Sequence, residues 1–479
     1  AGPQRAGAPS AALAPGGWDR RRATRSMLTM SACFATGEAA LVAVIVLGAG
    51  LADDPTAPAL ASGCLYLAFV AGTFLAPAIV DNLGSPRAAI SLGLLGFACF
   101  AGAHLTPFLA LRATGAAAAG VGGSLMWTAE GVYLARLSRV YGALLEPPDE
   151  TLAASRLAGI FATVLPAVLT VGKLAASAIL GALGTGPDGA WALFATFTVA
   201  ILGSAACAGA CIRDVPSPGA RAPLAGCCAR AADVLRANRS RRMALLAPNN
   251  VAFGLFAGYV PLHGTLLVAR ALGAEHVGWL FALSGAVSAA LAALSARAAT
   301  VGRRAALVVG GSASFAGAGL LCAALSRGAP AEGDAPRWGL LGPVVLLFAL
   351  YGAGNAAWQG PTMATFAEAF RGESHAMNPA GGRGRSAHSA DGSAVAFANL
   401  KLHSGLATAV GFFAFPALGP VASGAVAAAA AAAGGIAYAA LVPSLRRGQG
   451  PEAAAGPEVT RSTRAAPDAP AETKPAVEE

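Results

Sequence analysis

Apolar runs of about 20 residues recur along the whole chain, separated by short polar segments that carry most of the arginines. A helix of that length crosses the roughly 30 Å hydrocarbon layer of a bilayer. The runs are long and lack the two-residue alternation of membrane strands, so the pattern predicts transmembrane helices rather than a barrel. About twelve spans are predicted, at roughly 27–51, 60–80, 87–104, 107–135, 157–183, 189–212, 244–269, 275–296, 304–325, 339–369, 394–417 and 420–443.

The longest central polar segment divides these spans into six and six. Pro/Gly/Arg-rich and Ala/Pro/Glu-rich compositions predict disorder at the two ends and in one insert. The predicted organisation is a basic disordered N-terminus at 1–26, a six-helix half at 27–212, a linker at 213–243, a second six-helix half at 244–443 with a disordered insert at 371–393, and a disordered tail at 444–479.

Composition and charge narrow the class of protein. Hydrophobic residues make up 56% of the chain and charged residues 12%, against about 25% charged in soluble domains, so we expect no soluble enzyme. The net charge of +9 forms no basic stripe with interleaved aromatics, so no nucleic-acid partner is predicted. No cysteine pair has metal-ligand spacing, and neither a metal nor another cofactor is expected.

The distribution of lysine and arginine predicts the orientation. If both termini are cytoplasmic, the inner loops and tails hold 27 of the 33 basic residues and the outer loops hold four. The positive-inside rule therefore favours cytoplasmic termini. Whether the bilayer is the plasma membrane or an endomembrane is left open.

The two halves resemble each other in sequence. Residues 87–93 (RAAISLG) open the third span and residues 304–310 (RAALVVG) open the ninth. Gly123 and Trp127 in span four match Gly354 and Trp358 in span ten at the same offset. Parallel six-helix repeats are typical of the major facilitator fold, which is the fold that we predict.

Four charged residues within predicted spans are candidates for a site, namely Glu38, Glu130, Lys173 and Lys401. Such residues usually face a cavity or a partner, because a charge at the bilayer centre costs about 2.5–3.5 kcal/mol. We expect Glu38 and Glu130 to point inward and Lys173 to pair with one of them, in a substrate site or in a structural ion pair. Lys401 either joins the site or extends to the inner surface.

Polar and aromatic residues on spans four and ten could form two walls of a substrate cavity. Trp127, Glu130 and Tyr133 recur at three-residue spacing and are expected on one helix face. Ordinary helix packing is the alternative. The opposite wall would consist of Asn355, Trp358 and Gln359.

The loop between spans two and three contains a candidate inner gate. Residues 81–87 (DNLGSPR) are similar to a degraded major facilitator loop motif that keeps its acid, glycine and arginine. Asp81 and Arg87 could latch the inner side. A tight turn with orienting charge would have the same sequence.

The fourth span, residues 120–134 (GVGGSLMWTAEGVYL), closely resembles the signature span of the UNC-93 family, an ion-channel regulatory branch of the major facilitators. Residues 350–359 (LYGAGNAAWQ), 396–402 (AFANLKL) and 277–279 (VGW) are also similar to that family. The chain departs from it at two positions, where the family usually has Gln in place of Glu130 and a neutral polar residue in place of Lys173.

Two functions are expected, one implied by the resemblance and one favoured by the intramembrane charges. Members of the family include regulators of potassium channels and chaperones of membrane receptors, which would make the chain a scaffold with a channel or receptor partner. The additional intramembrane charges favour a transporter of a cation or small solute that works by alternating access.

Overall fold

The computed structural model describes residues 17–51, 56–215, 232, 234–295, 301–329, 335–362, 365 and 392–448. Within these ranges the chain is helical, with no strand. The predicted disordered tails and insert lie largely outside the described residues. The membrane helices are α1 Arg20–Gly50, α2 Thr56–Leu83, α3 Pro86–Ala103, α4 Leu109–Ala143, α5 Glu150–Leu183, α6 Pro187–Cys211, α7 Arg241–Tyr259, α8 Val277–Ser295, α9 Val301–Arg327, α10 Leu341–Ala357 and a pair, α11 and α12, within Gly392–Gly448.

Several helices depart from regular α geometry or from their predicted bounds. A π-helical turn, Val260–Gly264, connects α7 to a short helix Thr265–Ala271, and another, Trp358–Thr362, follows α10. Helix α1 begins seven residues before the predicted position, because Asp19 caps it by accepting a hydrogen bond from the Arg22 amide.

The described helices supply the predicted number of spans. Ten of them are long and apolar enough to cross a membrane. One of the ten covers residues 399–443 and contains Gly419, at which it divides into α11 and α12. Helix α4, with 35 residues, packs within the same bundle. The prediction of about twelve helices is therefore confirmed.

The outer surface of the bundle is apolar, as a lipid-facing surface must be. Large exposed hydrophobic side chains include Val199, Ile436 and Leu294. Exposed Trp191 and Trp338 lie at the start of α6 and just before α10, on the same side of the bundle. Tryptophan is enriched at the membrane–water interface, so these two residues mark one boundary of the hydrocarbon layer.

The helices within each half pack closely through glycine. A side chain at Gly120 of α4 would meet the backbone of α2, and one at Gly352 of α10 would meet the backbone of α8. Gly172 of α5 faces α1, and Gly254 of α7 faces α11. Equivalent helices thus contact each other in both halves, which confirms the duplication predicted from the sequence.

Two helix pairs join the halves. Tyr66 of α2 stacks on Phe412 of α11, with ring centroids 5.9 Å apart. Gly278 of α8 lies against the α5 backbone at Lys173 and Ser177. Each pair takes one helix from each half, so the space between the halves is bordered by α2 with α11 and by α5 with α8.

Helices α11 and α12 form a hairpin with no intervening loop. Gly419 makes the turn alone, with φ 69° and ψ 170°, a conformation that glycine adopts far more readily than other residues. The Tyr259 hydroxyl donates to the Pro420 carbonyl at 2.9 Å, and His263 Nε2 lies 3.2 Å from the Phe415 carbonyl. Side chains of α7 and its π turn therefore hold the hairpin turn in place.

Candidate functional site between the two halves

Lys401 lies between the two halves, against tryptophans from both. Its Nζ is 3.9 Å from the ring centroid of Trp127 on α4 and 5.7 Å from that of Trp358 at the end of α10. Both distances fall within the range of cation–π attraction. Lys401 therefore does not extend to the inner surface, which was one of its two predicted placements.

Two carboxylates of the N-terminal half interact electrostatically with the same ammonium group. They belong to Glu38 on α1 and Glu130 on α4. Glu38 is 12 residues, or about 18 Å, from the end of α1, and Glu130 is 13 residues, or about 20 Å, from the end of α4. Both therefore lie near the middle of a layer about 30 Å thick. We call these two carboxylates, Lys401, Trp127 and Trp358 the central cluster.

The central cluster has one carboxylate more than it has cations. Ionised Glu38 and Glu130 with protonated Lys401 carry a net charge of −1. One Glu38 oxygen, Oε2, is buried and accepts no hydrogen bond from the described part of the chain. Glu38, Glu130, Lys401 and Trp127 are all partly buried. The excess negative charge favours a cation there.

Aromatic side chains surround the central cluster. Phe34 of α1 and Phe161 of α5 pack edge-on to Trp127, at centroid distances of 4.8 and 6.1 Å. Tyr66 interacts electrostatically with Glu38 and with Tyr351. Neither tyrosine was predicted from the sequence, although each is a polar aromatic residue deep in an apolar run. Apolar walls weaken screening and strengthen the charge interactions inside.

Trp358 is held in place by α7. Its indole stacks on Phe253, with centroids 3.6 Å apart and planes 3° from parallel, and its Nε1 donates to Asn250 Oδ1 at 3.1 Å. Asn250 is fully buried. Asn250 was not among the predicted site residues, although an asparagine inside a membrane span indicates that polar contacts are near.

Lys173 does not pair with either glutamate, so that prediction is wrong. Its Nζ donates to the Phe281 carbonyl of α8 at 3.4 Å and lies 5.9 Å from the Phe281 ring. Within the described residues no carboxylate oxygen lies within 4.0 Å of it. Lys173 and its counterpart Lys401 each reach into the opposite half. Of the two, Lys401 interacts electrostatically with Glu38 and Glu130, although neither carboxylate lies within 4.0 Å of it.

Tyr133 is fully buried at the end of the bundle where α1 begins. Its hydroxyl lies 2.5 Å from Ser26 Oγ and donates to the Arg213 carbonyl at 3.2 Å. It therefore joins α4 to α1 and to the end of α6, and it does not line the space around Lys401. Residues six apart on a helix differ by about 120° in direction, which separates Tyr133 from Trp127.

The opposite wall predicted on α10 is reduced to one residue. The Asn355 amide donates to the Tyr351 carbonyl one turn earlier in its own helix, at 2.9 Å. Gln359 is exposed. Of the three predicted residues, only Trp358 contacts the central cluster.

Arg87 of the predicted inner gate pairs with an acid at the end of α6. The Arg87 guanidinium lies 3.2 Å from Asp214 Oδ2, just after α6, and the Ser85 hydroxyl donates to Asp214 Oδ1 at 2.6 Å. This connects the α2–α3 loop to α6 within one half. Asp81 is in the last turn of α2, and its side chain lies outside the described part of the chain.

Comparison with solved structures supports the same fold. A structure of a bacterial homologue of the human peptide transporters PepT1 and PepT2 superposes with a TM-score of 0.60 at 15% identity, covering 90% of this chain and all of that one. The nucleoside transporter NupG gives 0.59 at 10% identity, covering 89% of this chain and all of that one. A proton-dependent oligopeptide transporter gives 0.61 at 16% identity, with coverage of 89% and 100%.

Comparison of sequences finds a family profile that matches part of the chain. A search of curated protein sequences finds no significant match to the chain. The family profile described as "Ion channel regulatory protein UNC-93" matches residues 56–142. That segment covers α2, α3 and nearly all of α4, and it includes the fourth-span motif with Trp127 and Glu130. The chain is therefore a multi-pass membrane protein with the fold of these solved transporters, and over residues 56–142 it is similar to the UNC-93 family.

Proposed function

We propose that the chain is a secondary transporter that moves a cation, or a small solute together with a cation, by alternating access. The observation that carries the proposal is the contact of Lys401, from the C-terminal half, with Trp127 of the N-terminal half. The carboxylates of Glu38 and Glu130 are near enough to interact electrostatically with the same ammonium group. Rocking of one half against the other changes this contact. A cation site at this interface would therefore be coupled to the motion.

The energetic reason is the cost of unpaired charge in the bilayer. A lone charge at the centre costs about 2.5–3.5 kcal/mol, so separating α11 from α4 exposes two carboxylates without a counter-ion. Entry of a proton or another cation offsets that cost. Binding of the cargo cation and separation of the halves would thus favour each other, which is the coupling that a carrier needs.

Transport is tested in liposomes that contain the purified full chain. Imposed gradients of protons, sodium and potassium are followed with dyes selective for each ion. We expect flux of at least one of these ions, with Glu130→Gln and Glu38→Gln each lowering it by at least about tenfold. The matched control is Glu146→Gln, which removes a carboxylate from an exposed position just after α4 and should leave the flux unchanged.

Two results would contradict the proposal. One is the absence of flux for all three ions and for an organic cation such as n-butylammonium, in liposomes whose protein is monodisperse before reconstitution. The other is flux that falls equally in Glu146→Gln and Glu130→Gln, because it would then not depend on the central carboxylates.

The second candidate function is regulation of an ion channel without transport, and the family profile favours it. The profile's description names channel regulation, and its match includes the α4 motif. Co-expression of the chain with a potassium channel, with channel currents as the readout, tests this function. A current change that persists in Glu130→Gln, with no flux in liposomes, would favour the regulator.

We further propose that both termini are cytoplasmic and that the chain has no enzymatic activity of its own. The excess of arginine in loops on one side supports the orientation. Protease protection of tags at the two ends in sealed cells is the direct measurement. A tag cleaved from outside would reverse the assignment.

A further inference from the structure

We infer that the cargo site of this protein is an ammonium cage and that Lys401 occupies it as a tethered cargo mimic. The inference rests on the proposed function, because it names an alkylammonium as the class of cation that binds at the same site. Binding itself can be measured without transport.

The chemistry of the cage matches an ammonium group better than a bare metal ion. The faces of Trp127 and Trp358, at 3.9 and 5.7 Å from Nζ, provide π density. Glu38 and Glu130 add negative charge. Aromatic faces with nearby carboxylates are typical of sites for organic ammonium ions, whereas sodium and magnesium prefer shells of oxygen ligands. No group of three or more His, Cys, Asp or Glu side chains in the described part of the chain is arranged to hold a metal.

Lys401 fills the cage in this conformation because it comes from the opposite half of the protein. Lys401 projects from α11 of the C-terminal half, whereas Trp127 and both carboxylates belong to the N-terminal half. The lysine ammonium is therefore an intramolecular competitor whose effective concentration is in the millimolar range or above. An incoming alkylammonium displaces it when the halves separate, and the lysine returns when the cargo leaves. No covalent step is involved.

The test removes the tethered cation and supplies a free one. In Lys401→Ala the probe is n-butylammonium, which reproduces the four-carbon stem and ammonium of lysine. We expect it to bind the detergent-solubilised full chain at least about tenfold more tightly in Lys401→Ala than in the unaltered protein, by titration calorimetry. Adding Trp127→Ala should weaken that binding by at least about tenfold.

Lys173→Ala is the matched control. It removes the equivalent lysine of the other half, which contacts Phe281 and no carboxylate in the described residues. Butylammonium affinity should not rise in this variant. Neutral n-butanol and potassium chloride serve as ligand controls, and neither should bind Lys401→Ala with the affinity of butylammonium.

Several results would overturn the inference. The first is that butylammonium binds Lys401→Ala and the unaltered chain with equal affinity. The second is that Lys173→Ala gains as much affinity for butylammonium as Lys401→Ala does. The third is that potassium binds Lys401→Ala as tightly as butylammonium. If Lys401→Ala is monodisperse only when purified with n-butylammonium, that rescue supports the cage, and failure of butylammonium to rescue it refutes the cage. Tight binding without flux in liposomes, either of the three ions or of butylammonium itself, would keep the cage and exclude the transport proposal.

Discussion

Replacing Lys401 by methionine should destabilise the fold through the charges that it leaves behind. Methionine is close to lysine in length and fills most of its volume, so the change removes the ammonium while the packing is largely kept. Glu38 and Glu130 then lack their cation near the middle of the bilayer. A charge left without a counter-ion at the bilayer centre costs about 2.5–3.5 kcal/mol, and the lost contact with Trp127 adds to this.

We therefore expect Lys401→Met to lower the free energy of unfolding by about 3 kcal/mol or more. Thermal unfolding in detergent, followed by the reaction of a fluorogenic thiol dye with buried Cys33 and Cys322, provides the readout. Lys173→Met is the matched control and should cost less, because it leaves no carboxylate without a cation.

A rescue experiment separates charge from packing. Adding Glu38→Gln and Glu130→Gln to Lys401→Met removes the unpaired carboxylates and should recover most of the lost stability, which is the non-additivity expected of coupled residues. If the triple variant is no more stable than Lys401→Met, or if Lys173→Met is equally destabilised, the charge argument fails.

Three further predictions concern packing and the ends of the bundle. Gly122→Leu should prevent monodisperse purification, because its side chain would meet the α3 backbone, whereas Gly131→Leu, with no atom within 4 Å, should purify normally. Tyr133→Phe should cost about 1–2 kcal/mol in thermal unfolding, through lost hydrogen bonds, without changing flux in liposomes. Arg87→Ala should change the unfolding temperature only slightly, because its pair with Asp214 is about two-fifths exposed and worth at most about 1 kcal/mol.

The sequence predicted those features of the fold and the site that depend on a single helix. The length and apolarity of each run predict the spans, and the matches at Gly123 and Gly354 predict the duplication. Glu38 and Glu130 are also recognisable as site candidates from the sequence, because a charged side chain inside a bilayer has a high free-energy cost. These features depend on composition along a single helix and not on how that helix is oriented toward its neighbours.

Contacts between helices could not be predicted in the same way. Whether Lys173 or Lys401 reaches the carboxylates depends on the rotation of α5 and α11 about their own axes, which hydropathy does not determine when a helix is apolar on all sides. Tyr133 was misplaced for a related reason, because three-residue spacing drifts by about 60° per step. The partner of Arg87 lies 127 residues away in sequence, and no local motif indicates it.

The single-glycine turn at Gly419 determines how any displacement of Lys401 can spread through the molecule. A connection without spare residues cannot absorb a shift of one helix relative to the next, and Tyr259 and His263 hold this one at Pro420 and Phe415. Movement of the lysine must therefore tilt α11 and α12 as one unit. The bilayer around exposed Ile436 of α12 would then be disturbed whenever the ammonium leaves its tryptophan, so the thickness and stiffness of the surrounding lipid should influence how readily that exchange occurs.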